Sequence, residues 1–302
     1  MNYLNVAETA KRWGISERSV RNYCAHGRVR GARLEGKTWL IPADTPKPPR
    51  QTRRSAGAES LLNTLDRERR SRLSGGIYHH VQIELTYNSN HIEGSRLTHE
   101  QTRFIYETNT IGIEEQPVSV DDILETTNHF RCIDTVIEQA RACLSQSLVK
   151  QLHAQLKGGT SDSKKSWFNV GDYKRLPNEV GGRKTAKPED VPALMAELIK
   201  SYEQTGAKTV DDIIAFHAQF ESIHPFQDGN GRVGRLIMFK ECLRHDIVPF
   251  IITDDLELFY YRGLHEWNRE PGYLIDTCLT AQDRFREVLR RFRIDGDARR
   301  AL

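Results

Sequence analysis

The 302-residue chain is short of several things, and each shortage excludes a class of protein. Its five cysteines (Cys24, Cys132, Cys143, Cys242 and Cys278) are odd in number, scattered and free of Cys-x-x-Cys spacing. That argues for reduced thiols and against structural zinc. No signal peptide and no apolar run of membrane-spanning length is present, so a cytoplasmic location without membrane contact is expected. No internal repeat appears. His79-His80 with Glu84 matches no recognised ligand spacing and is expected to face solvent on a helix.

What is present divides the chain in two. Residues 1–54 hold 12 Lys and Arg against 4 Asp and Glu, leaving 32 against 37 for the rest. Such a basic end suits DNA. Asn5 to Trp13 carries Val6, Ala10 and Trp13 on one helical face. Gly14-Ile15-Ser16 makes a tight turn with Ser16 as N-cap, and Glu17 to His26 begins a second helix with Val20, Tyr23 and Cys24 inward. Arg33 to Ile41 reads as a short β-wing around Glu35-Gly36-Lys37. Residues 1–43 resemble the winged helix-turn-helix domains of excisionases and MerR-type regulators. The resemblance implies that Arg18, Ser19, Arg21 and Asn22 face the major groove, while Arg28, Arg30, Arg33 and Lys37 meet phosphates. One such module reads few base pairs, so specific binding calls for a homodimer. The alternative is a helical protein-interaction module with a solvated basic face. Residues 44–57, rich in Pro, Thr, Ser and Arg, are expected to form a linker that lets the two parts move independently.

From residue 58 onward the periodicity is helical, with segments at Ser60 to Leu73, Leu97 to Glu107, Val120 to Leu144, Leu148 to Lys157, Pro188 to Thr205, Leu256 to Trp267 and Gly272 to Phe292. A mainly α fold with one small and one medium domain is expected.

The chemistry concentrates in His224-Pro225-Phe226-Gln227-Asp228-Gly229-Asn230-Gly231-Arg232-Val233-Gly234-Arg235. Apolar spacing predicts helices over Val210 to Ser222 and from about Asn230, so this run joins two helices. Pro225 disfavours the helical region for His224 and should end the first helix there. Gly229 and Gly231 are expected to let successive N–H groups turn inward at the positive end of the second helix, making an anion site. Arg232 and Arg235, three apart, can bind one polyphosphate. Asp228 can hold a magnesium ion. His224 suits a general base near neutral pH. The run therefore reads as nucleotidyl or phosphoryl transfer.

This run resembles the signature of the Fic family, His-Pro-Phe-x-Asp/Glu-Gly-Asn-Gly-Arg-x-x-Arg, at every position. The resemblance implies an all-helical fold and magnesium-dependent transfer of AMP from ATP to a hydroxyl side chain of a target protein. It also implies roles: His224 as base, Phe226 as anchor, Asp228 on the metal, Gly229 to Gly231 as anion hole with Asn230 ordering it, Arg232 on the phosphates and Arg235 on the γ-phosphate. Gly229 and Gly231 favour the adenylylating branch over the phosphorylating one.

Upstream, Ser89-Asn90-His91-Ile92-Glu93-Gly94 is similar to the family's inhibitory motif, at the end of a helix that Gly94 should stop. By that likeness Glu93 pairs with Arg235 and blocks productive ATP placement; in some relatives the same glutamate positions a water that removes AMP. Gly171 to Gly182 resembles the family's flap, a hairpin at Val180, Gly181 and Gly182 that aligns the target by strand addition. Lys174 stands where relatives carry arginine and Asn178 takes an apolar slot, so different target selection is expected. Tyr261 and Asn268 resemble the residues around adenine and ribose. The expected organisation is residues 58–140 as a helical region with the inhibitory helix and residues 141–292 as the catalytic core. The expected function is an autoinhibited protein adenylyltransferase. The alternatives are a DNA-binding regulator whose Fic portion senses nucleotide or dimerises, and a de-AMPylating enzyme.

Overall fold

A computed structural model describes residues 3–25, 29–36, 38–48, 60–112 and 117–294. Arg28, Lys37 and most of the expected linker lie outside the described residues.

The N-terminal unit begins with β1 (Tyr3–Leu4) and α1 (Val6–Trp13). Asn5 caps α1 reciprocally: its side chain accepts the Glu8 N–H, and the Glu8 carboxylate accepts the Asn5 N–H, both at 2.9 Å. Two donors that a helix start leaves unpaired are thereby satisfied. Gly14, in the left-handed region at φ 63, stops the helix. Ser16 Oγ accepts the Ser19 N–H at the entry to α2 (Glu17–Ala25). The wing is the hairpin of β2 (Arg33–Glu35) and β3 (Thr38–Pro42), and β1 adds to the other side of β3. Two residues are too few to show any period, so β1 left no trace in the sequence. Val6, Ala10, Val20, Cys24, Val29 and Ile41 close a small separate core.

This unit touches the body of the protein. Ser19 Oγ donates to Asp276 Oδ1 at 3.0 Å, and Lys47 Nζ lies 3.8 Å from Asp211. Ser19, expected to face a DNA groove, is therefore turned inward, whereas Arg18, Arg21, Asn22 and Arg30 are exposed. These contacts also tie together two parts expected to move independently.

The body is a helical assembly: α3 (Leu61–Ser71), α4 (Ile77–Ile92), α5 (His99–Thr108), α6 (Val120–Glu138), α7 (Gln146–Lys157), the hairpin β4 (Glu179–Val180) and β5 (Arg183–Lys184), α8 (Val191–Glu203), α9 (Val210–Ile223), α10 (Asn230–Arg244), α11 (Glu257–His265) and α12 (Gly272–Arg291). One continuous core runs from Leu61 to Leu289, across the expected boundary at residue 140. Among the described residues no helix is long and apolar enough to cross a membrane. All five cysteines are free, and only Cys143 is exposed.

Two sequence expectations differ from the structure. The helix expected to reach Leu144 ends at Glu138, although Ala140 and Leu144 remain buried. The Leu144 N–H donates to Glu203 Oε1 at 2.8 Å, so tertiary contacts take up the chain where periodicity simply continued. The pair His79-His80 does not face solvent: His79 lies 3.0 Å from Glu107, and the His80 ring packs on Phe292.

Helix α10 organises the body. It packs against α4, α6, α7 and α9, and every residue from Asn230 to Leu243 is buried. A helix buried all round is ordinarily apolar. This one carries Arg232, Arg235, Lys240 and Glu241, and each is paired internally.

Candidate active site

The signature run lies at the junction of α9 and α10. Helix α9 ends at Ile223, and His224 adopts φ 52, ψ 64 while its N–H still bonds Phe220 O at 2.9 Å. Pro225 is the local cause, since its ring crowds a helical residue before it. Phe226 is fully buried and stacks on His153 at 3.9 Å between centroids and 7° between planes. Asn230 closes the loop: its Oδ1 accepts the Phe226 N–H at 2.8 Å, and its Nδ2 donates to Phe226 O at 2.9 Å.

The two glycines serve different needs. Gly229, at φ 83, is the left-handed residue that turns the chain into α10. Gly231, expected to permit such a turn, sits instead in the first helical turn outside the left-handed set. Its requirement is space, because a Cβ there would run into Glu93 Oε1 and the Arg235 guanidinium.

The arginines diverge rather than converge. Arg232 bonds Glu125 and approaches Asp228 Oδ2 at 3.3 Å. Arg235 donates from Nε to Ser89 Oγ at 3.0 Å, and from Nη2 to Ser89 O and Glu93 Oε1, both at 2.8 Å. Burial opposes the charge of both guanidiniums, but Glu125 and Asp228 for Arg232, and Glu93 for Arg235, outweigh it and raise both pKa values. For Asp228, burial pushes the carboxyl up while Arg232 and Lys157 pull it down, leaving it at about 2.

Behind Arg235 lies a buried polar chain. Its Nη1 is 3.5 Å from Tyr260 Oη, which is 2.6 Å from His217 Nε2. Burial holds His217 down at about 4, hence neutral. The Glu221 carboxylate lies 3.7 Å from His224 Nδ1. Tyr261 Oη donates to Ile92 O at 2.9 Å, next to Glu93, while Gly94 follows at φ 91. Asn268 is exposed in the turn between α11 and α12.

Residues 143–242, which include this whole loop, match the model of the Fic/DOC family. The chain carries a Fic domain. Curated proteins similar to it include the protein adenylyltransferase Fic of Drosophila grimshawi, 28% identical over 59% of this chain and 36% of that protein. That of Drosophila willistoni is 29% identical over 59% and 35%. The chain thus spans about a third of the length of these relatives. Among solved structures, a Fic-domain signalling protein from Bacteroides thetaiotaomicron superposes with TM-score 0.61 at 24% identity, covering 76% of this chain and 94% of that one. A Fic family protein from Desulfovibrio desulfuricans gives 0.57 at 21% identity, covering 80% and 77%. At these identities the likeness establishes the fold.

The segment expected to act as a flap is the hairpin β4–β5, turned by Gly181 and Gly182 at φ 55 and 75. Its base is tied to the signature loop through the two residues that depart from the family pattern. Lys174 Nζ donates to Asn178 Oδ1 at 2.7 Å and Thr185 Oγ1 at 2.6 Å, and its N–H bonds Pro225 O at 2.9 Å. Asn178 Nδ2 donates to Phe226 O at 3.0 Å. Burial lowers the Lys174 pKa to about 8. His153 is the second tie: its Nδ1 accepts the Gly171 N–H at 3.0 Å, which leaves Nε2 to donate to Asp228 O at 3.2 Å. Burial depresses His153 to about 4, consistent with this neutral form.

Sequence reasoning did not find Glu125, His153, Lys157 or Asp162. They come from α6, α7 and the turn after it, far from the signature, and no spacing links them to it. Glu125, Asp162 and Asp228 bring one oxygen each within 4.8 Å of the others, a donor set suited to magnesium, but Lys157 Nζ bonds all three. The half-exposed Asp228 suits a cation that arrives with a nucleotide. The cradle behind it does not, because an ammonium already fills it.

Proposed function

We propose that the Fic domain transfers AMP from ATP to a hydroxyl side chain of a protein, this chain included, and that the resting form is autoinhibited. The observation that carries this reading is the loop itself: a histidine ends one helix six residues before Asn230 opens the next, whose first turn has N–H groups without intrahelical partners. His224 takes the proton of the attacking hydroxyl. Its oxygen bonds to the α-phosphorus, the bond from that phosphorus to the bridging oxygen breaks, and pyrophosphate departs with the electron pair. Gly229 to Gly231 and the helix dipole hold the phosphate charge, Arg232 steadies it, and Arg235 meets the γ-phosphate once released from Glu93. Asp228 would hold a magnesium ion arriving with ATP, which would supply further neutralisation of the phosphates. Tyr261 and Asn268 border the nucleoside, and the edge of β4 at Val180 aligns the target backbone.

Incubation with ATP labelled at the α-phosphate tests this. Label should enter protein with the wild-type chain or a Glu93→Gly variant, and His224→Ala should abolish it in both. Tight ATP binding with no transfer in any of them would instead favour a nucleotide sensor.

For the N-terminal unit we propose DNA binding through the exposed Arg18, Arg21 and Arg30, as a dimer. Affinity that falls steeply with salt is expected of the full chain. A chain that binds no DNA at low salt refutes it.

A further inference from the structure

Behind the signature loop the three carboxylates of Glu125, Asp162 and Asp228 surround one side chain. Lys157 Nζ lies 2.6 Å from Asp228 Oδ2 and 2.9 Å from Asp162 Oδ2, and it bonds Glu125 Oε1 as well. Three partners use all three donors of an ammonium. The side chain is 3% exposed, and its stem runs beneath the loop, where a Cβ on Gly229 would lie 3.6 Å from Lys157 Cδ. The ammonium also lies 5.6 Å from the centre of the Phe168 ring. Lys157 is the last residue of α7, an end at which the helix dipole favours positive charge.

We propose that Lys157 is the resident cation of this site, holding with an ammonium a cradle that a divalent metal would otherwise fill. The two cannot share it. A magnesium ion sits about 2.1 Å from its oxygen ligands, whereas Nζ already stands between these oxygens, 2.6 Å from Asp228 Oδ2 and 2.9 Å from Asp162 Oδ2, so the space is taken. Charge points the same way: with Arg232 against Glu125 and Asp228 and Lys165 against Asp162, the cluster is neutral, and without Lys157 it would carry one net negative charge. The nucleotide-free chain therefore holds no divalent ion in the cradle, and a metal enters only with the nucleotide's own phosphates, on the exposed face of Asp228. This concerns the site before nucleotide arrives and stands whichever group is transferred.

The test is a Mn2+ titration of the full nucleotide-free chain followed by electron paramagnetic resonance. Wild type should bind no Mn2+ in the micromolar range. Lys157→Met should create one site at least about tenfold tighter, and adding Asp162→Asn should remove it. Equal affinities in wild type and Lys157→Met, weak or tight, overturn the proposal. Should Lys157→Met fail to fold, wild type decides alone. Micromolar Mn2+ binding without nucleotide, or two ions per chain with a non-hydrolysable ATP analogue, overturns it; no binding without the analogue and one ion with it supports it.

Discussion

Replacing Glu93 with glycine removes one partner of Arg235 and leaves the others in place. The lost contact is a 2.8 Å ion pair between a guanidinium 3% exposed and a carboxylate 22% exposed. A hydrogen bond to a charged group in such a setting contributes about 1.5–3 kcal/mol. Ser89 still accepts from Nε and Nη2, so Arg235 is not stranded and the fold should survive with a slightly lower Tm. If that contact is what withholds Arg235 from phosphate, its loss raises the competent fraction by about 10- to 100-fold, at about 1.4 kcal/mol per factor of ten. Glu93→Gln should give a smaller gain, since an amide still bonds the arginine but no longer repels the γ-phosphate. The assay is the initial rate of α-labelled ATP incorporation at saturating nucleotide, for wild type and both variants. Equal rates across the three refute the latch, as would a gain that persists when His224→Ala is added.

Other perturbations probe other levels of the structure. Gly263→Ala places a Cβ 2.6 Å from Leu274 Cα, where α11 meets α12 and neither backbone can yield cheaply. Overpacking of this kind costs about 1–3 kcal/mol, and calorimetry should show Tm lower by roughly 2–12 °C. Lys174→Met keeps the buried stem but removes the braces to Asn178 and Thr185. It should raise KM for a protein target several-fold with little change in kcat, and a fall confined to kcat would contradict the bracing role. Glu241 is buried; that raises its carboxyl, but His245 and Lys240 outweigh it and hold the pKa near 2. A folded-state pKa below the unfolded one means stability that is present above about pH 4.5 and is lost as pH falls toward 2. Thermal melts from pH 7 to 3 should show Glu241→Gln destabilised at pH 7, with the gap to wild type narrowing on acidification.

The signature was legible because its information is local. Pro225 ends one helix, Gly229 turns into the next, and the charged side chains follow within a few residues. The end of α9, the start of α10 and the juxtaposition of Glu93 with Arg235 could be anticipated, the last by likeness to relatives. What sequence could not supply is what long-range folding decides. Arg232 and Arg235 are three apart on one helix, yet carboxylates from α6 and from the end of α4 draw them to different partners. Lys157 looked like an ordinary helix-terminal lysine, and only the tertiary arrangement surrounds it with three acids. The early end of α6 at Glu138 has no glycine or proline to announce it.

His153 joins three things at once: one ring nitrogen takes the Gly171 N–H on the way to the flap, the other gives to the Asp228 carbonyl, and its face covers Phe226. A single rigid ring thus spans the platform that would receive a partner and the loop that would receive phosphate. Partner choice and turnover should then evolve as linked traits, because a substitution that re-aims the flap at its root also moves the loop. Under the proposed function, new partners would be most freely acquired at the hairpin tip beyond Asn178, away from the ties that bind its base to the loop.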